Sequence, residues 1–164
     1  MIEYGMYFGK QELYDFIRKT GGVWNDSKER PIFCCLESKE HKGLYWAIPV
    51  GNWDHRTPTA KRRINNFMSN PSSSISSCYY HVGNTTVKSI FFISDVIPVI
   101  DKFIDREYIN NNTSSIHIIK NKTLLNEIEI KLRRILAYEK SNPNYFRQHI
   151  TDIKNEMLKE LENR

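Results

Sequence analysis

Only three cysteines occur in the 164 residues. Cys34 and Cys35 are neighbours and Cys78 stands alone, which makes neither a disulfide framework nor a zinc-binding pattern. No apolar run approaches the roughly 20 residues needed to cross a bilayer, and the longest, 44–50, is strand-sized. The opening MIEYGMYFGK lacks a positive stretch followed by an apolar one, so no export signal is expected and the chain reads as cytoplasmic. A Gly-rich phosphate loop, His-Glu-x-x-His, Cys-x-x-Cys and Gly-x-Ser-x-Gly are all missing. These absences disfavour metal hydrolases and nucleotide-driven enzymes, and no metal or cofactor is expected. Arg147-Gln148-His149 also lacks the separation that paired helical nucleases keep between Arg and His.

What the sequence has is positive charge. Against 19 Asp and Glu stand 24 Lys and Arg, a net +5 that leans toward a polyanionic partner. The length suits one domain over 1–164, with a β-rich core in 1–110 and a helical extension in 118–164.

Hydrophobic spacing gives the elements. A short strand is expected over 2–8 and an amphipathic helix over 10–19, with Leu13, Phe16 and Ile17 on one face. The runs 32–37 and 44–50, joined by a polar turn, read as a hairpin. One or two helical turns are expected over 60–68, with Arg62 and Arg63 facing water, then a mobile low-complexity run over 70–74. Strands over 78–82 and 87–93 flank the turn signal Gly83-Asn84. Pro98 makes 95–104 an edge strand or an irregular segment. Leu124, Leu125, Ile128, Leu132, Ile135 and Leu136 mark a long helix from Lys120, and 144–162 a second one after Ser141-Asn142-Pro143. The class is α+β: a small antiparallel barrel or strongly bent sheet with an early helix and a C-terminal helical hairpin.

The stretch GLYWAIPVGNWDHRTPTAKRR, residues 43–63, carries the chemistry. His55 can take and give a proton near neutral pH, and Arg56 beside it suits a phosphate. RNA cleavage without a metal needs a base for the 2′-hydroxyl, an acid for the leaving 5′-oxygen, and fixed positive charge. Arg30, at a strand entrance, is expected to be a second phosphate ligand, and Thr57, Thr59 or Tyr45 can offer a hydroxyl. Lys61, Arg62 and Arg63, with Lys28, are expected to track the backbone of a bound RNA. Trp53 is expected to be exposed and to stack on a base, with Tyr45, Tyr80 and His81 as further RNA contacts. The plain alternative is a solvated basic loop over a strand whose aromatics are core.

Several stretches together resemble the ToxN/AbiQ family of endoribonuclease toxins. They are MYFGKQELYDFIRK at the start, Arg30-Pro31-Ile32-Phe33-Cys34-Cys35-Leu36, Tyr45-Trp46-Ala47-Ile48-Pro49-Val50, and Val96-Ile97-Pro98-Val99 after an apolar strand. The resemblance spans about 1–140, and the last piece is the most specific. It implies a PemK-like small β-barrel, metal-independent cutting of single-stranded RNA to 2′,3′-cyclic phosphate ends, and a repeated pseudoknot RNA as inhibitor, often in a closed ring of proteins and RNAs. Where such toxins commonly carry Thr-Ser, this chain has Gly51-Asn52, a departure similar to a CptN-type branch. Two other readings remain: a MazF/PemK-like toxin neutralised by a protein, and a non-catalytic RNA-binding module.

Overall fold

The computed structural model describes residues 1–25 and 32–164. Seven strands form one antiparallel sheet: β1 (Met6–Gly9), β2 (Ile32–Glu37), β3 (Tyr45–Asn52), β4 (Tyr80–Asn84), β5 (Lys88–Phe92), β6 (Ile97–Val99) and β7 (Ile104–Glu107). Their order is β4-β5-β3-β2-β1-β7, with β6 also on β3, and β4 and β7 are edges, so the sheet does not close into the expected barrel. A small hairpin, β8 (Ile109–Asn110) and β9 (Ser115–Ile116), stands apart. Among the described residues four α-helices complete the fold: α1 (Gln11–Lys19), α2 (Pro58–Met68), α3 (Lys122–Ser141) and α4 (Ile150–Glu162). Among the described residues no helix is long and apolar enough to cross a membrane.

β3 changes partners along its length. On one side it pairs with β2 from Tyr45 to Val50. On the other it pairs with β6 over Tyr45–Ala47, then with β5 over Val50–Asn52. Pro49, which has no N–H to donate, sits where the partner changes. Pro98 falls inside β6, where it is tolerated because β6 has one neighbour only.

Alternation along the strands sends successive side chains to opposite faces, and both faces are covered. Met6, Cys34, Leu36, Trp46 and Ile48 pack with Leu125, Ile128, Leu132 and Ile135 of α3. Tyr7, Phe33, Cys35 and Ala47 pack with Leu13, Tyr14 and Ile17 of α1 and with Ile153 and Met157 of α4. The adjacent cysteines therefore point apart, and burial pushes the Cys34 thiol up to about 12 and Cys35 upward as well.

Several boundaries differ from the sequence expectation. Tyr4 at φ 63 bends the chain, and β1 starts only at Met6. A 3-10 turn, Ile75–Cys78, delays β4 to Tyr80. The 70–74 run is a hydrogen-bonded turn, with Ser74 N donating to Pro71 O at 2.8 Å and Asn70 Nδ2 to Ser76 Oγ at 2.6 Å. The second C-terminal helix begins at Ile150 instead of 144, because Asn144 and His149 both adopt φ 59, which no right-handed helix contains.

Candidate nucleic-acid interface

At the C-terminal end of β3 the chain makes a short 3-10 turn, Trp53–His55, held from both sides. Asn52 Oδ1 accepts from Asp54 N at 2.9 Å, and Arg56 N donates to Trp53 O at 3.0 Å. The Arg56 side chain folds back, with Nε donating to Asn52 O at 3.4 Å and its guanidinium carbon 5.8 Å from the Phe92 ring centroid. Gly51 is the floor beneath it: a Cβ there would lie 3.3 Å from both Arg56 Nη2 and the Phe92 ring. The Gly51→Ala protein should thus keep its stability to within about 1 kcal/mol, since the flexible guanidinium and the half-buried Phe92 ring have to yield only slightly. Any activity that depends on Arg56 should fall by about tenfold, less than the roughly hundredfold of a full ångström misplacement, because the guanidinium has to shift only slightly. Thermal unfolding and RNA cleavage rates measured together check both halves.

From Arg56 the surface continues through Phe92 to Tyr80, whose rings meet edge to face at 6.0 Å. Phe67 of α2 lies 6.0 Å from Tyr80 on another side. Burial raises the Tyr80 phenol, Arg63 and Arg147 draw it down, and Asp95 raises it again, so these three charged groups surround it. Arg147 Nη2 donates to both Asp95 carboxylate oxygens at 3.4 Å, while burial pushes the Asp95 carboxyl up against that pull. Gln148 fixes this loop in place: it is 1% exposed, and its Nε2 donates to Ser94 O and Val96 O, each at 2.8 Å. Thr59, Arg62, Arg63, Asn66, Phe67 and Asn70 frame an adjacent open hollow of about 420 Å³.

The residues expected from sequence divide in space. His55, Arg56, Arg62, Arg63 and Tyr80 lie along or beside this surface, and His55 is exposed, with no side-chain hydrogen bond among the described residues. Thr57 caps α2, its Oγ1 accepting from Ala60 N at 3.1 Å ahead of Pro58 at the first helical position. Trp53 is not an exposed stacking platform. It is 7% exposed and packs on Ile64 and Ile90, with Lys61 and Lys88 ammonium groups 5.7 and 5.9 Å from its ring centroid. The 3-10 turn rotates it under α2, and Lys61 is thereby half-buried over it. Tyr45 is at the far end of β3, roughly 23 Å from Asn52 at ~3.3 Å per residue, with its hydroxyl donating to Met1 O at 3.1 Å. Lys28 and Arg30 lie outside the described residues.

His81 belongs to α3 more than to the basic surface: its Nε2 is 2.8 Å from Glu127 Oε2 and its side chain is 14% exposed. Burial, then Lys131, lowers its pKa, with Glu127 opposing, and burial lowers that of His117. Both therefore bind a proton less readily folded than unfolded. Their contribution to stability is full above the unfolded value of about 6.5 and is lost as pH falls from there through the lowered folded values. Asp95, raised in the fold, works the other way, adding stability as pH falls through its raised value. The melting temperature should fall between about pH 7.5 and about pH 5.5, and His81→Asn should reduce that fall.

Phe92, Asp95, Phe67 and Arg147 were not singled out by their spacing. One signal in the sequence does point to this surface. Between Asp54 and Asp95 there are five Lys and Arg and no Asp or Glu, while the remaining 19 Lys and Arg balance the 19 acidic residues. The whole net charge thus resides in the segment that forms α2, β4 and β5. Among the described residues no three His, Cys, Asp or Glu side chains gather where they could hold a metal ion. Comparison with models of known protein families found no match, and a search of curated proteins found none either.

Proposed function

We infer that this protein is an endoribonuclease that cuts single-stranded RNA with its own side chains, as the toxin of a type III toxin–antitoxin system. The observation that carries this reading is the placement of charge: the full +5 excess lies in 55–94, with Arg56, Arg62 and Arg63 beside the Phe92, Tyr80 and Phe67 rings and Lys61 and Lys88 over Trp53. Guanidinium groups interleaved with aromatic faces suit phosphates and unstacked bases together.

On this reading Arg56 and Arg63 hold the scissile phosphate and Arg147, oriented by Asp95, reinforces them. Neutral His55 takes the 2′-hydroxyl proton, the 2′-oxygen attacks phosphorus, and the bond to the 5′-oxygen breaks. Tyr80, protonated at neutral pH as any phenol is, gives its proton to that 5′-oxygen, and Arg63 and Arg147 draw its pKa down against the burial that raises it. The products are a 2′,3′-cyclic phosphate and a 5′-hydroxyl, and water returns the proton from His55 to Tyr80. A folded repeat RNA fits the inhibitor role, since its phosphates meet the same arginines while its riboses are held out of line for attack. Labelled RNA incubated in EDTA should be cut, and the same oligonucleotide with 2′-O-methyl riboses should stay whole. Cutting of the methylated strand would overturn the 2′-hydroxyl mechanism.

One observation favours a second reading. Among the described residues His55 has no partner to orient it, as expected if the surface binds RNA without cutting it. His55→Ala would then leave every cellular effect intact, whereas the nuclease reading requires loss of toxicity with RNA affinity retained.

A further inference from the structure

We propose that Tyr145 and Tyr138, with Arg134 beside them, form a second stacking site for single-stranded RNA, so that a strand held at Arg56 and Tyr80 continues across the α3–α4 loop. This rests on the reading of the arginine surface as an RNA site. From that surface the rings follow one another: Phe67 lies 5.5 Å from Tyr79, Tyr79 6.0 Å from Phe146, Phe146 5.2 Å from Tyr145, and Tyr145 4.8 Å from Tyr138. Phe146 is buried behind the row, whereas Tyr145 is 52% exposed and Tyr79 and Tyr138 are half-buried. A single exposed ring needs no explanation, but one that ends a row starting at a cationic surface lies where the bases of a strand held there would pass.

Charge follows the same path. Lys131, Arg134 and Tyr138 recur at three- and four-residue spacing on one face of α3, and Lys131 Nζ donates to Tyr80 O at 2.8 Å, which turns that face toward β4. Arg134 is half-buried and makes no ion pair among the described residues. Arg147 stands two residues beyond Tyr145 in the same loop. The acidic groups nearby are engaged: Asp95 with Arg147 at 3.4 Å, Glu127 with His81 at 2.8 Å, and Asp152 beside His149 at 3.9 Å. Glu139 is buried, its Oε2 accepting from Asn144 N at 2.7 Å and from the Thr151 hydroxyl. Those bonds, with Asn144 Oδ1 accepting from Asp152 N at 3.2 Å, hold Asn144 at φ 59 and fix the loop that presents Tyr145. A ring held in place before RNA arrives gives up little conformational freedom on stacking.

Fluorescence anisotropy with a labelled 2′-O-methyl single strand of about 12 nucleotides, within the usual span of single-strand sites, tests this on the full chain in EDTA. Tyr145→Ala should weaken binding by about tenfold, the loss of one base stack, and leave its salt dependence unchanged. Tyr145→Trp should restore the affinity. On the same backbone carrying no bases, Tyr145→Ala should bind as the wild type does. Because Tyr145 also packs on Tyr138 and Phe146, Arg134→Gln is the second variant, and it should lower the slope of affinity against salt by about one. Equal affinity of the wild type and Tyr145→Ala for the base-bearing strand, an equal loss on the base-free one, or an unchanged salt slope in Arg134→Gln would each overturn the proposal. The first of these would leave the rings as a contact for a protein partner. A wild-type protein that binds no strand at all would overturn the RNA reading of the arginine surface as well, so the two failures are told apart.

Discussion

Replacing Arg56 with alanine is expected to slow RNA cleavage by about a hundredfold or more while the protein keeps its fold, the usual effect of deleting a charge donor aimed at a transition state. The side chain is half-buried, lies over the Phe92 ring and makes one long hydrogen bond to Asn52 O, so truncation opens no core cavity. Its stability cost should stay below about 1 kcal/mol. Arg56→Lys keeps the charge but loses the planar fork, and should recover only part of the rate. RNA affinity should weaken far less than the rate in both variants, because Arg62, Arg63 and Arg147 still attract the backbone. Single-turnover cleavage and equilibrium binding, measured on the same preparations, separate the two effects. Equal losses in rate and affinity would make Arg56 a general phosphate contact with no special place at the scissile bond.

Trp53→Ala should have the largest effect on stability of any substitution near the surface, about 3–5 kcal/mol, as for other large buried aromatics. Three losses add up there. The ring leaves a hole against Ile64 and Ile90, α2 loses the side chain that anchors it to β5, and Lys61 and Lys88 lose the face they share. Trp53→Phe should recover much of this, since it refills most of the volume. Chemical denaturation of the three proteins measures the difference. A tryptophan that served only to stack on RNA would give the opposite pattern, with unchanged unfolding and reduced RNA affinity.

That contrast shows where sequence reasoning reached its limit. The helix over 11–19, the hairpin strands 32–37 and 45–50, and the long helix from 122 were legible because their apolar residues repeat at the period of the element. The capped start of α2 was partly legible in Thr57-Pro58. Trp53 was not, because one 3-10 turn decides whether a side chain at a strand end points outward or beneath the next helix. Tyr45 looked close to His55 on paper, yet an extended strand carries neighbours in sequence far apart in space. Arg147 and Asp95, 52 residues apart, meet only because two left-handed residues and the buried Gln148 fix the loop between α3 and α4. No local pattern encodes such a pairing. The run without acidic residues between Asp54 and Asp95 is the exception, a sequence feature that marks the surface without any knowledge of the fold.

The central claim is that RNA is cut here by the chain's own groups. Its most direct test is to incubate the purified protein with total cellular RNA in EDTA and to map the new 5′ ends together with the chemistry of the 3′ ends. Discrete cuts leaving 2′,3′-cyclic phosphates and 5′-hydroxyls, lost in Arg56→Ala and His55→Ala, are the predicted result. RNA that stays intact while bound to the protein would contradict it, and would leave the arginine surface as a site that holds RNA without cutting it.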